Sequence, residues 1–149
     1  MRLIIQQVSS AKVMIEKDHI TREIGPWILV FLGIHKDDLG DYPEKIKNIL
    51  YKLTHLKYVS WKDHGITTSL EETHGEILLI SNFTVYWRNH KGTKMDFMDA
   101  APFQEAKHIY DYFIEQALLC GLSLKTWEFW ADMQIQSTNE WPVNYVLDF

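Results

Sequence analysis

The sequence has little of what cross-links, kinks or spans. Cys120 is the one cysteine in 149 residues, so no disulfide forms within the chain, and a reducing compartment, the cytoplasm, fits by default. Four prolines and seven glycines are too few for a collagen-like or low-complexity chain. No apolar run approaches the ~18 residues that crossing a bilayer requires. The opening MRLIIQQVSS turns polar early and has no small-residue cleavage site, so it reads as a first strand rather than a secretory signal. Positive charge is also scarce. Lys+Arg 15 against Asp+Glu 20 gives a net charge of −5, whereas a protein that coats nucleic acid draws its affinity from neutralised phosphates. A general nucleic-acid coater is excluded, and a local basic patch stays open. The seven histidines show no HxH, HExxH or Cys-His spacing, and neither GxGxxG nor GxxxxGK(S/T) occurs. No metal ligand set and no cofactor is expected.

What is present is a hydrophobic, aromatic chain: 46% apolar residues, 13% aromatics and six tryptophans, enough for one buried core. Residues 2–8 and 12–16 alternate weakly and read as a strand pair. After Gly25-Pro26, residues 27–34 are apolar on both faces, as in a strand buried on two sides. Residues 42–56 carry Ile46, Ile49, Leu50 and Leu53 at helical spacing. Residues 56–61 alternate like a strand and end in a turn over 62–65. Residues 76–81 (EILLIS) form a strongly apolar strand that residues 82–86 extend, followed by a polar loop over 88–93. Pro102 opens a second helix through Ala106, Ile109, Tyr110, Phe113 and Ala117, which Gly121 ends. Residues 122–129, 133–137 and 143–147 read as three short strands. This order predicts a single α/β domain over 1–149, roughly β2-(βα)2-β3, with two helices on one face of a barrel-like mixed sheet.

Candidate chemistry is sparse. Ser81 and Thr84 end a buried strand, where polar residues suddenly follow apolar ones. This is either a pocket rim or an ordinary strand exit, since a hydroxyl nucleophile needs a neighbouring base that the sequence does not name. Cys120, beside Leu118 and Leu119, reads as a small core residue rather than a thiolate. Arg88, Lys91 and Lys94, with His90 between them, form the most basic stretch of an acidic chain. They are either phosphate contacts or a solvated loop. In Asn139-Glu140-Trp141-Pro142-Val143-Asn144 a Trp-Pro pair forces a turn between two strands, with its indole either functional or folded onto the core.

Taken together, these segments resemble the D-aminoacyl-tRNA deacylase family along almost the whole chain. The stretches that carry the resemblance are MRLIIQQVSSAKV, EIGPWILVFLGIHKDD, GEILLISNFTVY, KGTKMDF, AAPFQEA, FWADMQI and NEWPVNYVLDF. The resemblance implies a homodimer that hydrolyses the ester between a D-amino acid and the 3′ end of tRNA, in translation quality control. It implies no DNA or membrane partner. The family pocket combines a strand-end Ser-Gln-x-Thr motif with an Asn-x-Gly-Pro-x-Thr turn reaching across the dimer, whose cis Gly-Pro presents carbonyls to the substrate amino group. The catalytic strand-end positions correspond here to Ser81, Asn82, Phe83 and Thr84, and the substrate-binding turn to Asn139, Trp141, Pro142 and Asn144. Ala106, Phe129 and Met133 correspond to residues lining the pocket. Such an enzyme needs no side-chain nucleophile: backbone N–H groups near the strand end polarise the ester carbonyl, and the terminal 2′-hydroxyl of the tRNA assists.

The departures from the family pattern fall on functional positions. Asn82 stands for glutamine, Gln7 for arginine, Asn144 for threonine and Met95 for proline. Trp130 and Trp141 each stand for glycine, which permits close backbone approach where tryptophan does not. An indole of Trp141 turned into the partner's pocket would fill it; turned outward, it leaves its carbonyl available. These exchanges keep an alternative in view, a family member with altered or no catalysis that binds tRNA or regulates. A third reading is an esterase with a small non-tRNA substrate.

Overall fold

The structure, a computed structural model, describes the chain except residues 16–19, 61, 63 and 89–92 and the side chains of residues 20, 141 and 142. The first strand, β1 (Arg2–Ile15), is continuous where a strand pair was expected. Its alternation is weak because of a bulge. Val8 pairs with Asn139 and Ser10 with Thr138, leaving Ser9 unpaired. The extra residue shifts the inward face, so Leu3 and Ile5 enter one apolar cluster and Val8, Ala11 and Val13 the other.

Two strands lie end to end along one edge of β1. β2 (Ile20–Ile24) pairs with its second half and β3 (Trp27–Gly33) with its first, with Gly25-Pro26 between them. A small ribbon follows, β4 (Tyr58–Val59) with β5 (Ile66–Thr68), shorter than the strand expected over 56–61. β6 (Glu76–Ser81) joins β3 in parallel, and β7 (Ser123–Thr126) joins β6 in parallel. β8 (Gln134–Asp148) runs antiparallel along the other edge of β1. The resulting six-stranded mixed sheet curls until β2 approaches both β6 and β7. It is a nearly closed barrel in one α/β domain.

The two expected helices form and cover one face. They are α1 (Tyr42–His55) and α3 (Phe103–Leu119), separated by α2 (Leu70–Thr73), a single turn closed by a Ser69–Glu72 capping box. Ile46, Ile49, Leu50 and Leu53 of α1 and Ile109, Tyr110 and Phe113 of α3 pack on Leu3, Ile5, Ile28, Val30, Leu32, Ile77 and Leu79. The curl encloses a second cluster of Val8, Ala11, Val13, Ile24, Leu29, Leu78 and Ile80. β3 and β6 are buried on both faces, as their unbroken apolar runs require. Gly121 ends α3 at φ +77°, the left-handed conformation that favours glycine at this position. Cys120 is exposed rather than in the core, because the buried face of α3 ends at Ala117 and the chain then turns outward.

Two further segments correct the sequence reading. Residues 83–86 do not extend β6. They wind into a 3-10 turn, Phe83–Tyr86, because the Asn82 side chain accepts from the Thr84 N–H and caps it. The last two expected strands are one, β8, and Trp141-Pro142 does not reverse the chain. Gln6 pairs with Asn144 and Val8 with Asn139, so residues 140–143 bulge opposite the single residue Gln7 before pairing resumes. A bulge tolerates proline, which has no N–H for the ladder. Gln7 itself is buried, and its side-chain amide bonds both the carbonyl (2.7 Å) and the N–H (3.0 Å) of Val59. It thereby fastens the β4–β5 ribbon to β1.

Asp38 anchors the start of β1. Its carboxylate, 2% exposed, lies 2.7 Å from the Met1 ammonium and 2.7 Å from Lys45 Nζ, and it accepts from the His35 N–H at 2.7 Å. Burial pushes the Asp38 carboxyl up, but the hydrogen bonds from Lys45, the ammonium and His35 outweigh it and hold the carboxyl below its ordinary value.

Candidate active site at the end of a parallel strand

β3, β6 and β7 are parallel, and ligand sites of parallel strands, in barrels and open sheets alike, form beyond the carboxyl ends of the strands. Ser81 is the last residue of β6. The next residue, Asn82, donates its N–H to the Leu32 carbonyl at 2.9 Å, carrying the ladder one bond past the strand. Its Oδ1 then accepts from both the N–H (3.0 Å) and the hydroxyl of Thr84. The sharp turn places Phe83 first in the 3-10 helix, where an N–H has no intrahelical acceptor.

These residues open onto a cavity of about 370 Å³. Ser81, Asn82 and Phe83 form one wall, Ala106 of α3 a second, and Phe129 and Met133 a third, so six of the expected site residues are brought together. Thr84 is exposed and bonded to Asn82 rather than lining the space. Phe129 packs on Tyr110, at 5.3 Å between ring centroids. The Tyr110 hydroxyl donates to the Leu79 carbonyl at 3.1 Å and bonds the Thr126 hydroxyl. Burial pushes this phenol up to about 12, which keeps it neutral and structural.

Two of the lining rings, Phe83 and Trp130, belong to a wider aromatic cluster. Trp130 stacks on Phe83 with centroids 4.6 Å apart and planes 11° from parallel, and meets Phe103 edge-on at 5.3 Å. Phe97 lies edge-on to Phe83 at 5.1 Å. The Trp130 backbone sits at φ +66°, a left-handed conformation in which a bulky L residue is strained. Trp130 lines the cavity without filling it. Sequence reasoning had not singled out Phe97 or Phe103; both fall in the stretches KGTKMDF and AAPFQEA, so the signal was present there.

Of the rest of the expected site, the described residues lie outside this cavity. Asn139 pairs with Val8, and its Oδ1 accepts from the Ser137 hydroxyl at 3.3 Å. Asn144 pairs with Gln6 and accepts from its amide at 3.0 Å. Neither lines the cavity of its own chain. The side chains of Trp141 and Pro142 lie outside the described residues, as do Lys91 and His90. Arg88, expected at a phosphate, is engaged by carboxylates, Asp99 at 2.8 Å and Asp96 at 3.6 Å, while Lys36 holds Asp99 at 2.9 Å. The hydrogen bond from Lys36, opposed by desolvation and helped by the Arg88 charge, holds the Asp99 carboxyl below its ordinary value. Lys94 is exposed. Among the described residues no cluster of histidine, cysteine and carboxylate side chains is arranged to hold a metal ion, and no helix is long and apolar enough to cross a membrane.

The fold and the site define a small α/β barrel with a strand-end pocket lined by Ser81, Asn82, Asp132 and otherwise apolar residues. The family model described as D-Tyr-tRNA(Tyr) deacylase matches residues 4–148. A D-aminoacyl-tRNA deacylase of Finegoldia magna is 38% identical over 149 residues, covering 99% of this chain and 97% of the relative. One of Clostridium botulinum is 36% identical over 148 residues, with the same coverage. Among solved structures, the c-Myc DNA Unwinding Element Binding Protein superposes with a TM-score of 0.87 at 30% identity, over 100% of this chain and 99% of its own. The chain belongs to the D-Tyr-tRNA(Tyr) deacylase family.

Proposed function

We propose that this protein hydrolyses the ester between a D-amino acid and the 3′ end of tRNA, clearing mischarged tRNA in the cytoplasm. The observation that carries this reading is the convergence of Ser81, Asn82, Phe83, Ala106, Phe129 and Met133, the positions matching the family's pocket, on one cavity of about 370 Å³. In this reading the ester carbonyl lies beside the strand end, and the Phe83 N–H donates to the oxyanion that forms as water attacks the carbonyl carbon. The bond to the tRNA 3′ oxygen then breaks, a proton from the attacking water passes to that oxygen with help from the neighbouring 2′-hydroxyl, and the free amino acid leaves. Asn82 spends Oδ1 on Thr84 and offers its amide Nδ2 to the substrate.

The working unit in this reading is a homodimer. Asn139 and Asn144 do not line the cavity of their own chain, and they stand on a strand that pairs only with β1 among the described residues. A second copy would complete the pocket with them, and a solution mass of two chains rather than one of 17.6 kDa tests this. The partner nucleic acid is tRNA, met at one end. A net charge of −5 does not suit a DNA duplex.

The test is deacylation of D-tyrosyl-tRNA at sub-stoichiometric protein, with L-tyrosyl-tRNA as the control. Turnover of the D ester alone is expected. A folded protein that turns over no D-aminoacyl-tRNA and no glycyl-tRNA overturns the reading. The same result with tight tRNA binding would establish the second reading, a non-catalytic tRNA-binding protein, which the strained Trp130 in the pocket wall favours.

A further inference from the structure

Trp130 combines three properties that packing alone does not account for. Its backbone holds a left-handed φ of +66°, where glycine would rest without strain. Its ring is not buried in exchange, because the residue remains 47% exposed. One face of the indole lies flat on Phe83 at 4.6 Å and one edge meets Phe103 at 5.3 Å. The stacked pair lines the cavity, and Phe103, in contact with Trp130, is itself 47% exposed. The backbone sets the φ whichever way the ring points, so what calls for an account is a large, half-exposed indole stacked in the cavity wall.

We infer that Trp130, backed by Phe83 and flanked by Phe103, is a specificity-determining platform that stacks a planar ring of the substrate against the pocket wall. The inference rests on the deacylase reading and adds to it which part of the substrate this chain holds. Two rings of an aminoacyl-tRNA end have the required chemistry, the terminal nucleobase and an aromatic acyl side chain. Both are flat and polarisable, and both gain from continuing an aromatic stack.

The experiment compares the wild type with Trp130→Gly and Trp130→Phe on D-tyrosyl- and D-alanyl-tRNA, reading KM and kcat separately. Glycine suits the backbone conformation, so this variant is expected to fold. It should raise KM about tenfold, the scale of one lost stacking contact, with kcat little changed, and phenylalanine should restore most of the loss. A rise for the D-tyrosyl ester alone assigns the stacked ring to the acyl side chain. An equal rise for both esters assigns it to the nucleobase. Unchanged KM in an active Trp130→Gly protein overturns the inference and leaves the deacylase reading standing, and a lower KM, the mark of an obstructing ring, does the same.

Should no protein hydrolyse either ester, the deacylase reading fails, and binding decides the inference. The hydrolysis-resistant 3′-amides of 3′-amino-3′-deoxyadenosine with D-tyrosine and D-alanine are then titrated while tryptophan fluorescence is followed. Quenching in the wild type that disappears in Trp130→Gly supports the platform. Quenching that persists in the variant, or none in either protein, refutes it.

Discussion

Replacing Asp38 with asparagine keeps the shape of a buried junction and removes the charge its donors share. The Met1 ammonium reaches both carboxylate oxygens, at 2.8 and 2.7 Å, and Lys45 reaches one at 2.7 Å. Lys45 has an alternative, Asp41 at 3.0 Å, and keeps 23% of its side chain in water. The ammonium has no such escape and would retain the Phe149 carbonyl at 2.8 Å. Removing one partner of a buried pair costs about 3–5 kcal/mol. The second partner of Lys45 and the amine's ability to release its proton place this case near the lower end, about 3 kcal/mol. For a domain of this size that lowers Tm by about 6–12 °C.

The loss carries a pH signature. Burial, only partly offset by Asp38, already holds the ammonium pKa below its ordinary value of 8.0, and without the carboxylate it falls further. Between the folded and unfolded pKa values the unfolded chain binds more protons, so the variant's stability rises with pH across that window. Urea unfolding of Asp38→Asn and wild type at pH 6 and pH 8.5 measures this, and the deficit should be larger at pH 6. A deficit below about 1 kcal/mol at pH 6, or the same deficit at both values, would refute the assignment of a charged, buried ammonium on Asp38.

Three other outcomes are expected. A Cβ at Gly33 would collide with the Val85 side chain and press on Tyr86, so Gly33→Ala should displace the 3-10 turn that carries Phe83. It should lower kcat for D-tyrosyl-tRNA by tenfold or more while costing about 1–3 kcal/mol in urea unfolding; unchanged kcat would argue against the turn as the source of the oxyanion donor. In salt titrations of tRNA binding, Lys94→Ala should flatten the slope by about 0.7–0.9, one phosphate contact. Arg88→Ala should leave it unchanged, because Asp96 and Asp99 occupy the guanidinium; a flatter slope in Arg88→Ala would show that the arginine exchanges its carboxylates for phosphate. Acid unfolding should draw on Asp38, held low against burial by its donors, and on Glu72, held at about 2 by Lys57 and by Ser69 of its capping box. Both folded pKa values lie below the unfolded ones, so their stabilisation is complete above about pH 4.5 and fades as pH falls toward 2. A Lys57→Met variant should shift the acid midpoint upward, and an unmoved midpoint would remove Glu72 from that account.

What the sequence alone determined is whatever depends on near neighbours and repeat spacing. The unbroken apolar runs of β3 and β6, the helical spacing of Ile46, Ile49, Leu50 and Leu53, and Gly121 as a helix stop were all legible. So were the stretches that mark the family and half of the pocket, since Ser81, Asn82 and Phe83 adjoin one another along the chain. Tertiary structure decided what depends on long-range register and on partners distant in sequence. Whether Trp141-Pro142 turns the chain or bulges from it is settled by the pairing of Val8 with Asn139 and Gln6 with Asn144, partners at opposite ends of the chain. Whether Arg88 is available to phosphate depends on carboxylates across its loop. The tryptophan at position 130 was visible as an exchange for glycine, but its left-handed backbone and its stack on Phe83 were not. A ring's direction is set by what surrounds it, and those surroundings exist only after the sheet has curled.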